Sequence, residues 1–229
     1  MLHHRFARTL VRAALLMAAL VSAMLLAPPL AAQDAASTLP RHLWIAAYGA
    51  SSGIQPVSSQ GSSLGQVDAG RGMSFRIGWS GDSTLSVFIG FDQASLSTRD
   101  SLLAGPYAAH DMEIGGRINF PMKEHRHFVP FVEVAALARQ MDAPLATAGP
   151  SAPGAHSVLS AHGFGGALDI GISMFVVPGA AIEAAAGAAI GPMTDLKVNG
   201  DTRWTGSVTA VSTRIRIGLA LWPAAWLGR

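Results

Sequence analysis

Eight ionisable side chains occupy places where an apolar pattern should exclude them. Arg76, Glu113, Arg117, Glu133, Asp169, Glu183, Arg214 and Arg216 fall within segments that alternate bulky apolar residues with small ones, most of them near the middle. Four acids and four bases in such settings point to mutual ion pairing in a shielded interior, because buried charge is tolerated only when paired and hydrogen-bonded. The spacing suggests partners. Arg117 and Glu133 lie about equally far from the polar turn at Pro121 to Arg126, and Glu183 can approach Arg214 or Arg216 across the last two segments. Such a cluster can gate a polar path or plug it. Balanced signs favour the plug, and an open pore would want a wider barrel.

Other constellations are thinner. His156-Ser157 and Ser160/His162 are the Ser/His pairs that could serve a hydrolase or acyl transferase. Neighbours on a strand point to opposite faces, so His156 and Ser157 do not form one unit. Ser160 and His162 share a face, but no orienting acid is evident. His125 and His127 flank a polar turn, where solvated histidines are commoner than metal ligands. Gly163, Gly165 and Gly166 lack the helix start and lysine of a phosphate loop. No catalytic residue, metal site or cofactor site is assigned.

The elements that carry the charges read as eight strands: His42–Ala50, Gly72–Ser80, Thr84–Gln93, Ala109–Phe120, His127–Arg139, Leu159–Val177, Ala180–Ile190 and Trp204–Trp222. Their gaps run long, short, long, short, long, short, long. Outer-membrane barrels alternate long outer loops with short periplasmic turns, and an even strand count returns both termini to one side. The stretch from Gly165 to Met193 is apolar enough for a helical hairpin, with Ala184-Ala185-Ala186 a good helix former. Pro178-Gly179 at its centre and the many glycines argue for strands instead.

Each strand has two faces. Met73, Phe75, Ile77 and Trp79 alternate with Ser74, Arg76 and Gly78; Ile215, Ile217, Leu219 and Leu221 alternate with Arg214, Arg216 and Gly218. A soluble ligand-binding barrel would alternate too, with its apolar face inside. Here the polar face is mostly Gly, Ala and Ser with isolated charges. Small side chains suit a narrow eight-stranded lumen and uniform bulky aliphatics suit acyl chains, so the large apolar face is read as the outside. Trp44, Trp79, Phe120, Phe128 and Trp222 cluster at strand ends near one rim and are read as an interfacial aromatic girdle.

The start of the chain reads as an address. Arg5, Arg8 and Arg12 precede an apolar run from Ala13 to Leu26 and a small-residue site at Leu30-Ala31-Ala32. That is the plan of a signal peptide over 1–32, too short for a bilayer span. Residues 33–40 form a linker, 41–222 the barrel and 223–229 an extension. Without the leader, 13 basic residues face 14 acidic ones, which leaves no basic footprint for nucleic acid. Cysteine is absent, and only 13% of residues are charged, against about 25% in ordinary soluble domains.

On these features the chain resembles the small eight-stranded outer-membrane barrels of the OmpA/OmpX type over about residues 41–222. The resemblance implies an all-β, antiparallel, up-and-down transmembrane barrel, monomeric and without a cofactor, with both termini periplasmic. Its implied partners are outer-membrane lipid and lipopolysaccharide, with barrel-assembly machinery during biogenesis. Arg214 to Trp222 resembles the C-terminal signal which that machinery reads, although Pro223 to Arg229 run past Trp222. The implied role is structural or in surface contact. A narrow channel, a lipid A-modifying enzyme and a lipocalin-like carrier are the alternatives.

Overall fold

The computed structural model describes residues 42–57, 68–98, 105–122, 127–145, 157–177, 179–199 and 201–223. The leader and linker, His125, His156 and residues 224–229 lie outside them. Among the described residues the chain forms eight strands: β1 (His42–Val57), β2 (Asp68–Ser80), β3 (Leu85–Ser97), β4 (Tyr107–Asn119), β5 (Phe128–Pro144), β6 (Val158–Val177), β7 (Ala180–Val198) and β8 (Asp201–Leu221). Each pairs antiparallel with the next, and β8 returns to β1, so the sheet is a closed barrel. Within the Gly165–Met193 stretch, residues 165–177 and 180–193 are strand, not helix.

The registers fix the wall's geometry. One hydrogen-bonded row runs Ile45, Ile77, Ile89, Ile114, Ala136, Gly166, Ile190, Val211 and rejoins β1 at Gln55, ten positions from its start. A stagger of ten over eight strands tilts them by about 40° and gives a wall radius of about 8 Å. So narrow a tube is filled by its own side chains.

The faces separate as the alternation requires. Ile77, Ile114 and Ile217 are 50%, 66% and 61% exposed on the outside, while Arg76, Arg117 and Arg216 are buried. Ile170 keeps the outward register but is only 8% exposed, in a row with Val132 and Ala186. Glycines make room inside. A Cβ at Gly78 would strike the Trp44 ring, and one at Gly90 the Arg76 guanidinium.

All eight strands outrun their sequence-based bounds at the loop end, by one or two residues in β4 and β6 and by three or more in the rest: β1, β5 and β7 continue to Val57, Pro144 and Val198, β3 to Ser97, and β2 and β8 start at Asp68 and Asp201. The last connection is therefore not a long loop. Val198 pairs with Asp201 across Asn199-Gly200, with Asn199 at φ 52°. Asn-Gly is the preferred pair for such a two-residue turn, whose twist matches the strands. Asn199 also ties the hairpin to the start of β6: its side-chain oxygen accepts from the Val158 N–H at 2.9 Å, and its amide donates to Ser157 Oγ at 3.2 Å.

Closure depends on close approach at the β1–β8 seam. A Cβ on Gly218 would overlap the Ala47 carbonyl oxygen. Gly218→Val should therefore reduce the folded, heat-shifted band on an unboiled gel, whereas Gly81→Ala, whose Cβ meets nothing within 4 Å, should leave it unchanged.

Candidate functional site in the barrel lumen

Every strand sends a polar group into the lumen, and period-two alternation aims them all at one axis. The eight charges read from the sequence all lie inside, and the structure joins them into one network. In its upper part Arg76 reaches Glu113 at 2.7 Å and Asp92 at 3.5 Å. Arg214 meets Asp92 at 2.5 Å and directly contacts Glu113 and Asp169. In its lower part Arg117 meets Glu183 at 2.9 Å and Glu133 at 3.4 Å. Arg216 meets Glu133 at 2.7 Å and Asp169 at 3.5 Å. Arg76 links the two parts through Glu133 at 3.4 Å.

The Arg117–Glu133 pair is a direct cross-strand neighbour pair. Glu183 does not pair with Arg214 or Arg216. Its strand neighbour on β8 is Gly218, and the carboxylate reaches across the lumen to Arg117. There it also accepts hydrogen bonds from Tyr48 Oη at 2.5 Å and Ser173 Oγ at 2.6 Å. Aromatic faces complete the guanidinium environments. The Arg117 carbon sits 3.5 Å from the Phe131 ring centroid and 4.9 Å from that of Trp44, and Arg76 lies 4.9 Å from Phe88. Cation–π contacts strengthen when desolvated, as here.

Several members were missed in the sequence although the alternation reveals them. Asp92 shares the parity of Phe88 and Gly90, opposite to outward Phe91. Tyr48 shares that of Trp44 and Ala46. Asp111 and Arg139 share those of Glu113 and Glu133, and they form a bidentate pair at 2.7 and 2.6 Å with Ser212 accepting from Arg139 at 2.7 Å.

An apolar layer lies at each end of the network. At the short-turn end Trp44, Phe88, Phe175 and Trp222 pack with ring centroids 5.1 to 6.4 Å apart. Trp44 and Trp222 are 1% and 4% exposed, so they turn inward and are not part of an outer girdle. The alternation of β1 puts Trp44 in step with Tyr48, on the lumen side. Trp79 and Phe128 do lie on the outer face near that rim, 53% and 43% exposed, and Phe120 is half-buried there. At the loop end Ile54, Leu96, Tyr107 and Met193 form the second layer. Beneath it a cavity of about 20 Å³, lined by Asp92, Asp111, Arg139, Ser212 and Arg214, has room for a single water.

The Ser160/His162 pair sits elsewhere, on the outer wall. Ser160 Oγ donates to Asp142 at 2.7 Å, and Gln140 donates to the same carboxylate at 2.7 Å. His162 is cross-strand to Gln140. The serine's proton is thus directed at a carboxylate, not at an imidazole. His127 is exposed at its turn.

This inverted wall around an ionised lumen has the fold of the small eight-stranded outer-membrane barrels. Solved structures share the fold. Neisserial surface protein A is 14% identical, with 78% of this chain and 96% of that one aligned at a TM-score of 0.53. The outer-membrane protein OprG from Pseudomonas aeruginosa is 11% identical over 80% and 96%, at 0.50. Ail, the attachment invasion locus protein of Yersinia pestis, is 12% identical over 80% and 100%, at 0.48. No family model and no curated protein sequence matches the chain.

Proposed function

We infer that this chain is an outer-membrane barrel with a closed lumen, serving the envelope as a structural and surface-contact protein without catalysis. Residues 1–32 act as its signal peptide, and both barrel termini stay on the periplasmic side with the short turns. Lipid and lipopolysaccharide surround it, assembly machinery inserts it, and it works as a monomer. The loops and the long β7–β8 hairpin face outward for contacts. The observation that carries this reading is the inversion of the wall: Ile, Val and Leu outside, five arginines and six carboxylates inside. In water the outer face would be a very large apolar patch, far beyond what soluble monomers expose. In lipid it is matched.

The lumen chemistry supports a plug. Most guanidinium and carboxylate groups pair with one another, with Arg216 Nε and Nη1, Arg117 Nε and Glu133 Oε1 left without a hydrogen bond among the described residues, and an apolar layer lies at each end. An ion entering would have to break those pairs and cross both layers. Purified protein in planar bilayers is therefore expected to give no conductance steps, and expressed protein to pellet with outer membranes and shift on unboiled gels. Steady unitary conductance would replace the plug with a channel; a soluble, unshifted product would remove the membrane reading.

A further inference from the structure

The outer face is not an even belt. A stagger of ten over eight strands means that a line of constant height falls by about one and a quarter residues per strand relative to the hydrogen-bonded rows. Taken at the height of Arg71, that line meets outward-facing Thr213 on β8, passes between Ser51 and Gly53 on β1, and meets Arg71 on β2, Gln93 on β3 and His110 on β4. None of these is a bulky apolar residue. Continued around the barrel it meets Ala138, Phe164 and Ile190 on β5, β6 and β7, all apolar, with Phe164 and Ile190 75% and 58% exposed. On those strands outward polar residues begin higher, at Gln140, His162 and Thr194.

The heights differ by a factor of two. Outward apolar runs cover Met73 to Trp79 on β2 and Leu85 to Phe91 on β3. At about 3.3 Å per residue and a tilt of about 40°, each is about 15 Å tall. Outward runs from Phe164 to Val176 on β6 and Ala180 to Pro192 on β7 are about 30 Å tall by the same measure. The usual band is about 25 Å. Tilting the whole barrel cannot reconcile the sides, because a flat bilayer meets opposite walls over equal lengths. Only the bilayer can adjust, by thinning beside a short belt.

We propose that the β8–β4 wall, centred on β1 to β3, is a membrane-thinning face. Its partner is the outer leaflet, drawn down beside Ser51, Arg71, Gln93 and His110 while it stands at full height against β6 and β7. This rests on the membrane reading above. Arg71 is the anchor: it is exposed, about 5 Å above the last apolar residue of its face, and an undeformed leaflet would bury its charge. Beneath it a groove of about 590 Å³, lined by Ala47, Phe75, Ile77, Ile89, Phe91 and Met112, takes shortened or splayed acyl chains.

The chain has no cysteine, so single spin labels can be placed cleanly. Labels at Gln93→Cys and Ile190→Cys stand at one height on opposite walls, and one at Ile89→Cys lies lower on the short wall. In vesicles of dioleoyl phosphatidylcholine, accessibility to oxygen relative to a water-soluble nickel chelate should be high at 89 and 190 and several-fold lower at 93. Equal hydrocarbon values at 93 and 190 would overturn the thinning face while leaving the membrane reading intact. Loss of the hydrocarbon signal at 89 and 190 would remove that reading itself. As a second readout, the triple change Arg71→Leu, Gln93→Leu, Ser95→Leu heightens the short belt. It should move the best folding yield to vesicles with longer acyl chains, and an unmoved optimum counts against the proposal.

Discussion

Arg214→Met should lower the stability of the folded barrel by about 3–5 kcal/mol, read as a fall in the urea midpoint for unfolding from phospholipid vesicles. Arg214 is the cation shared by Asp92, Glu113 and Asp169. Methionine matches much of its length but carries no charge. Asp92 and Glu113 would then have only Arg76, and Asp169 only Arg216 at 3.5 Å. Six lumen carboxylates already face five arginines among the described residues, so losing an arginine deepens an existing excess of negative charge. Losing Glu133 reduces that excess, and each of its arginines keeps another carboxylate: Arg76 has Glu113, Arg117 has Glu183 and Arg216 has Asp169. Glu133→Gln is accordingly expected to be the milder change, which a simple count of broken ion pairs would not predict. Arg214→Lys should fall between them. A lysine keeps the charge but not the planar fork that serves three carboxylates at once.

How much of this was legible depends on where lipid stops. Inside the belt the period of two is enforced by acyl chains on one side and a narrow lumen on the other. Arg76, Glu113 and Asp169 could therefore be placed inward from sequence, and the strand count followed. Above the belt the outer face of a strand meets water in place of acyl chains, so the bulky apolar residues that mark that face stop and the alternation fades. That is why the Ser- and Gly-rich end of β1 and the stretch from Gly191 to Val198 read as loop although they continue as strand. Pairing partners were legible only between adjacent strands. Arg117 and Glu133 are neighbours in register, but Glu183 finds Arg117 across the lumen from β7 to β4, a contact set by the tube's radius and stagger. The aromatic rim was half legible. A tryptophan near a strand end suits either an interface or an inner cap, and only the parity with Tyr48 distinguishes them for Trp44.

That inward Trp44 carries the second large effect. Trp44→Ala should destabilise the barrel by about 3–5 kcal/mol, the range for deleting a buried large aromatic. The loss has two sources. The indole fills the layer between Phe88 and Trp222, and its face supports the Arg117 guanidinium. Trp44→Phe separates them. It keeps a ring for Arg117 and removes an indole N–H that meets no acceptor among the described residues, so it should lose much less. Trp79→Ala is the control from the outer face. Its ring is half exposed to the surroundings, and its removal opens no space inside. If Trp79→Ala lowered the urea midpoint as much as Trp44→Ala, rim contacts with lipid would outweigh the inner cap. If Trp44→Ala alone does so and bilayers still show no conductance, the cap is needed for stability while the ion pairs above it suffice to keep the lumen shut.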